Sequence, residues 1–191
     1  MIDKLLWCPI DLPKCPVIPS LVMEKNWYFW NFVKITESQQ SPYEKSFIKD
    51  NILKNYPELV DWFSLFPYRS IRNIKLNEQV KEVKPHIDFT KPQLDFELYE
   101  NNQNNEPCGY RVLLKGSRKN ALYVIKDNNK VYCNMPEETD VYVLGHTSTM
   151  HGVEEDSERL TFFIHLEIDA VKHEEILQRS LNKYKQYAIF M

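Results

Sequence analysis

Glycine is scarce in this chain, with 4 in 191 residues. Loops that cradle phosphate are built from glycine, and neither a GxGxxG nor a Walker pattern occurs, which excludes nucleotide binding of that kind. Cysteine is just as sparse. Cys8, Cys15, Cys108 and Cys133 form no CxxC pair, and none stands at zinc-finger spacing from a histidine. Charge of one sign is missing too: the formal net charge is -3, whereas nucleic-acid binding wants a basic stripe. The one basic cluster, Lys115-Gly116-Ser117-Arg118-Lys119, is short and reads as a solvated loop. No apolar run approaches the roughly 20 residues of a membrane span. The first residues, with Asp3, Lys4 and several prolines, lack the apolar segment of a secretory signal. The expectation is a cytoplasmic protein with reduced thiols, a small-molecule or peptide substrate, and no nucleic-acid or membrane partner.

What is present is enough for one domain spanning 1–191. Hydrophobic residues make up 43% and aromatic residues 13%, and a chain of this size buries roughly 70% of its unfolded surface without disulfide staples. Residues 1–20 hold Pro9, Pro13, Pro16 and Pro19, which reads as an extended arm or an edge segment. Trp27-Tyr28-Phe29-Trp30-Asn31-Phe32-Val33 reads as a buried strand or a short aromatic helix. Ser41-Pro42-Tyr43-Glu44 is a capping box with proline at the first helical position, predicting a helix to about Tyr56. Pro57 can begin a second, short helix through Phe63.

From Tyr68 the texture changes. Strands are predicted at 69–76, 80–84, 110–115, 121–126, 130–133, 140–144, 150–153 and 159–168, separated by turn signals. Among these signals, Asp127-Asn128-Asn129 reads as a hairpin turn, because Asn tolerates positive φ. The Asn-rich stretch 101–105 reads as a loop. Asp169 can cap a final helix, with Val171, Ile176, Leu177, Leu181 and Tyr184 near helical spacing. The fold class is mainly β with flanking helices, a small barrel or two-sheet jelly roll.

The chemistry gathers in two distant segments. His86-Ile87-Asp88 places two ligand types at i and i+2, on the same side of an extended chain. His151 follows after an interval with room for a loop and about five short strands. Two imidazoles and one carboxylate are the ligand set of a facial triad, which leaves metal positions open for a cosubstrate and dioxygen. Arg159 and Thr161, again i and i+2, come next. Arginine makes a rigid bidentate fork with a carboxylate, although Arg159 could instead pair with the acids of 154–158. His146, His165 and His173 are rival distal ligands.

This order, HxD…H…R-x-S/T on a β-rich scaffold, resembles the Fe(II)/2-oxoglutarate-dependent oxygenases. From about 69 to 169 the chain is similar to their aspartyl/asparaginyl β-hydroxylase-like branch, which includes free-proline hydroxylases. The matching segments are His86-Ile87-Asp88, Tyr110-Arg111-Val112-Leu113-Leu114, residues 130–138, His151-Gly152-Val153, and Arg159 through Asp169. Two features depart from the branch pattern: the His151–Arg159 interval is short, and Leu113 stands where a histidine is often found.

The resemblance implies a double-stranded β-helix, cupin-like core at 67–169. Residues 1–66 would pack on it as arm and helices, and 170–191 would follow as the C-terminal helix. It further implies Fe(II) held by His86, Asp88 and His151, with 2-oxoglutarate chelating the metal and dioxygen as the second cosubstrate. Arg159 and Thr161 would hold the far carboxylate of 2-oxoglutarate, and Arg111 would reach either 2-oxoglutarate or the substrate. The implied reaction is hydroxylation of a free amino acid, or of an amino-acid residue in a peptide, releasing succinate and CO2. Two other readings remain open: a cupin-like metalloprotein of different chemistry, such as an isomerase or another dioxygenase, and a non-catalytic β-sandwich binding protein.

Overall fold

Alternation along the strands sorts the side chains to the two sides of one large sheet, and this sorting organises the chain. The computed structural model describes residues 5–16, 31–35, 57–79, 82–87, 109–145, 149–155 and 159–191. In chain order the elements are β1 (Leu5–Pro9), β2 (Asn31–Ile35), α1 (Pro57–Phe63), β3 (Tyr68–Gln79), β4 (Val83–His86), β5 (Gly109–Lys115) and β6 (Leu122–Lys126). There follow β7 (Asn129–Tyr132), β8 (Val141–Leu144), β9 (His151–Val153), β10 (Arg159–Ile168), α2 (Ala170–Tyr184) and β11 (Ile189–Phe190). The described residues are thus mainly β, with two helices.

The strands form a seven-stranded sheet, in the order β11-β1-β8-β5-β10-β3-β2, and a four-stranded sheet, in the order β4-β9-β6-β7. From β3 to β10 the chain changes sheet at every connection except the β6–β7 hairpin. That hairpin turns at Asp127 and Asn128, with φ of 49° and 62°, the left-handed pair a two-residue turn requires.

On β5, Tyr110 and Val112 face one way while Leu113 faces the other; on β8, Val141 and Val143 oppose Tyr142 and Leu144. The first set joins Leu160, Phe162 and Ile164 of β10, and α1 and α2 cover it with Leu59, Trp62, Phe63, Ile176 and Leu177. The second set meets Leu122, Val124, Cys133 and Val153 of the small sheet. The result is three layers: helices, large sheet, small sheet. Each large apolar side chain fully buried this way contributes on the order of 1.5–3 kcal/mol.

Local signals account for both helices. Pro57 opens α1 with Glu58 in its first turn, favourable beside the unpaired N–H groups of a helix start. Asp169 caps α2, its side chain accepting from the Lys172 amide at 3.2 Å. The C-terminal half of α2 is tied to the segment after β1: Ser180 Oγ accepts from the Asp11 amide at 2.8 Å, and Arg179 Nε donates to Asp11 Oδ2 at 2.9 Å.

The N-terminal segment, expected as an extended arm or an edge segment, is extended at Leu5–Pro9 but lies inside the large sheet. β1 pairs on both sides, with β11 and with β8. The prolines do not prevent this, because Pro9 is its last residue and Pro13 and Pro16 follow it. Residues 31–35 of the aromatic segment form β2, which runs parallel to β3. The helix expected from Ser41 to Tyr56 and the loop at 101–105 lie outside the described residues. Cys8, Cys15 and Cys133 are free and buried. Among the described residues no helix is long and apolar enough to cross a membrane.

Candidate functional site

Seen from the inter-sheet space, the small sheet contributes two histidines. His86, the last residue of β4, is the direct register partner of His151, the first residue of β9. Their ring centroids lie 4.5 Å apart. His151 sits on the inner face with Val153, as period-2 alternation requires, and is 4% exposed. Its Nδ1 is 2.9 Å from the Thr149 carbonyl, and His86 Nδ1 is 2.9 Å from the Lys84 carbonyl. A carbonyl oxygen only accepts, so each Nδ1 carries the proton and each Nε2 carries the lone pair. That is the tautomer in which an imidazole ligates metal through Nε2. Burial, with the Arg111 charge adding to it, holds both imidazoles below their ordinary pKa of 6.5, His151 well below it. Both are therefore neutral at pH 7.

Gly152 lets the histidine strands approach. A methyl group there would meet Tyr123 Cζ at 2.6 Å and the Val83 carbonyl oxygen at 2.7 Å. The second contact is backbone of β4, the strand that carries His86.

The large sheet contributes cations and aromatics. Arg111 on β5 is flanked by its register partners Tyr142 on β8 and Phe163 on β10. Its guanidinium carbon stacks 4.6 Å from the Phe163 ring centre, and Nη2 donates to His151 Nε2 at 3.4 Å. Burial lowers this guanidinium to about 10; nearby Tyr142 acts the other way and the Arg159 charge adds to the lowering. Arg159, on the same face of β10, is 4% exposed. Its Nη2 donates to the Tyr142 hydroxyl at 3.3 Å and its Nη1 to the Ser117 carbonyl at 3.5 Å. Both acceptors are neutral, and among the described residues no carboxylate pairs with Arg159. The pairing with the acids of 154–158 that the sequence left open is not seen among the described ones. Of these, Glu154 binds Lys130 at 2.7 Å and Tyr132 at 2.9 Å instead. Thr161, half-buried, shares the Arg159 face by alternation with Leu160 and Phe162.

Five of the six expected site residues, His86, His151, Arg111, Arg159 and Thr161, thus face one interior. The sixth, Asp88, lies outside the described residues, as does the rival His146. Among the described residues no group of three or more His, Cys, Asp or Glu is placed to hold a metal; the histidines form a pair. Rival His173 is excluded by position. It sits on α2 with Nδ1 2.8 Å from the Tyr110 hydroxyl, on the far side of the large sheet. For His165 only the backbone register is described, opposite Gly109.

Sequence reasoning missed Tyr142 and Phe163. The signal for both was alternation, since each lies between residues that face the helices.

No family model matches the chain, and no curated protein sequence matches it. Among solved structures, the chain is similar to the crystal structure of AviO1 from Streptomyces viridochromogenes Tue57. The two share 15% identity over 88% of this chain and 94% of that chain, with a TM-score of 0.39. A likeness of this degree carries no inference about activity.

Proposed function

We propose that this protein is an Fe(II)- and 2-oxoglutarate-dependent oxygenase that hydroxylates a free amino acid or an amino-acid residue in a peptide. One observation carries the reading: a neutral histidine pair with Nε2 lone pairs shares an interior with a buried arginine that has no carboxylate partner among the described residues. The strand order supports a double-stranded β-helix core at 67–169. Strands β3, β5, β8 and β10 enter one sheet and β4, β6, β7 and β9 the other, as in a jelly roll. The 1–66 and 170–191 segments would complete the same single domain.

The donor set fits a first-row metal: two imidazoles on adjacent strands, oriented through Nδ1 by backbone carbonyls. His86 and His151 would hold the ion, with Asp88 as the third ligand. When bound, iron with dioxygen supplies the oxidising power by which 2-oxoglutarate becomes succinate and CO2 and a substrate C–H bond is hydroxylated. Arg159 and Thr161 would hold the far carboxylate of 2-oxoglutarate. An anionic ligand would offset the cost of burying the Arg159 guanidinium, which neutral acceptors meet only in part. Arg111 donates to the His151 Nε2 lone pair that a metal would use, so with a metal held there this contact would be given up and the guanidinium would be available to an acid. Phe163 stacks on that guanidinium and limits where it can go.

The test is turnover in air with Fe(II), 2-oxoglutarate and a panel of amino acids and short peptides, scored by succinate. The reading expects succinate release that depends on His151 and rises with at least one panel member. Metal binding without any 2-oxoglutarate turnover would instead favour a metalloprotein of different chemistry.

A further inference from the structure

We propose that Arg111 gates metal loading: its guanidinium and the metal compete for one lone pair, that of His151 Nε2. The inference rests on the part of the reading above that gives a metal to the histidine pair, and on no assignment of the cosubstrate. His151 Nδ1 is 2.9 Å from the Thr149 carbonyl and so holds the ring proton. Nε2 is then left with a single lone pair and no hydrogen. Arg111, which shares the inner face of β5 with Leu113, donates to it from Nη2 at 3.4 Å. A metal held through Nε2 of His86 and His151 would use the same lone pair. The two cations therefore exclude each other there.

The contact is held from both sheets. On the large sheet, Tyr142 and Phe163 flank Arg111 as its register partners. The Arg111 guanidinium carbon lies 4.6 Å from the Phe163 ring centre, a cation–π distance. On the small sheet, His151 is fixed opposite His86, and Gly152 lets β4 and β9 close on each other. Metal loading then draws only on molecules in which Arg111 has left the lone pair, and the measured metal affinity is lowered by that fraction. Phe163 enters as the residue that helps to set the fraction. Arg159 supplies the control for charge. It too is a cation on the inner face, but its hydrogen bonds go to Tyr142 and Ser117. Removing either arginine takes a positive charge from the interior, which by itself favours a metal ion. Removing Arg111 alone also frees the lone pair.

The experiment titrates Co(II) by calorimetry into the metal-stripped full chain, as wild type, Arg111→Met, Arg159→Met, Phe163→Leu and His151→Ala. Melting temperature is measured on each protein before metal is added. We expect Arg111→Met to bind Co(II) on the order of tenfold more tightly than Arg159→Met, as for loss of one competing hydrogen bond from a charged group. Phe163→Leu keeps every charge and removes the stack; it should bind roughly two- to fivefold more tightly than wild type. Equal affinities of Arg111→Met and Arg159→Met would overturn the gate, because a charge effect common to both would then explain the gain. Should Arg111→Met not melt cooperatively, Phe163→Leu decides: an affinity no higher than that of wild type would overturn the gate. Either result leaves the histidine pair as a metal site. If wild type takes up no Co(II), or if His151→Ala binds it equally well, the metal reading fails, and this inference fails with it.

Discussion

Replacing Arg159 with methionine should make the ligand-free protein more stable while abolishing cosubstrate binding. Arg159 is 4% exposed and, among the described residues, has only two long hydrogen bonds, at 3.3 Å and 3.5 Å, both to neutral oxygens. Burying an ion costs several kcal/mol after relaxation, and apolar residues of similar volume in place of buried charges often stabilise by roughly 1–4 kcal/mol. Against this stand the two lost bonds. Ser117 is exposed, so its carbonyl recovers a partner from water, whereas the buried Tyr142 hydroxyl does not and costs about 1 kcal/mol or more. The balance is a gain of about 0–3 kcal/mol, which in a domain of this size raises the melting temperature by roughly 2–4 °C per kcal/mol. Scanning fluorimetry of wild type and Arg159→Met, with and without 2-oxoglutarate, reads both parts. Wild type should be stabilised by the ligand and the variant should not respond. If the variant melts well below wild type, Arg159 is a structural cation that holds Tyr142 and the loop at Ser117, and the anion-site argument is wrong.

Leu177→Ala, in the interface between α2 and the outer face of the large sheet, should cost on the order of 2–5 kcal/mol. Metal and 2-oxoglutarate affinities of the folded fraction should not change; lost activity at an unchanged melting temperature would instead make α2 part of the active site. His173 contributes a pH dependence. Burial holds its folded-state pKa below the ordinary 6.5, so as pH falls through that value the unfolded chain takes up a proton that the folded chain does not, and stability is lost on the acid side. His173→Gln should flatten the fall in melting temperature between about pH 7 and 5, in part only, since His86 and His151 are also held low; an unchanged slope would contradict the assignment.

Strand positions from Tyr68 to Ile168, the Asp127-Asn128 turn, the Pro57 start and the Asp169 cap were legible because each rests on a local rule: alternation, positive φ, or a side chain that meets a helix end. The pairing of His86 with His151 was legible only as order in the sequence; their adjacency needs β9 to return beside β4, which no local rule dictates. Tyr142 was hidden because Val141-Tyr142-Val143-Leu144 is apolar throughout, so composition alone does not say which side faces the histidines. Its side is settled by Val141 and Val143 packing under the helices. The internal place of β1 was hidden for a different reason: its prolines signal an edge, yet they fall at its end and beyond, and the pairing partner β11 is only two residues long and lies at the opposite end of the chain.

The central claim is that the histidine pair and Arg159 serve one metal and one 2-oxo acid. Anaerobic titration of the protein with Fe(II) and then 2-oxoglutarate, followed by visible absorption, tests it most directly. A weak charge-transfer band should appear only when both are present and should be lost in His86→Ala and His151→Ala. No band in the wild type, or a band that persists undiminished in His151→Ala, would contradict the account.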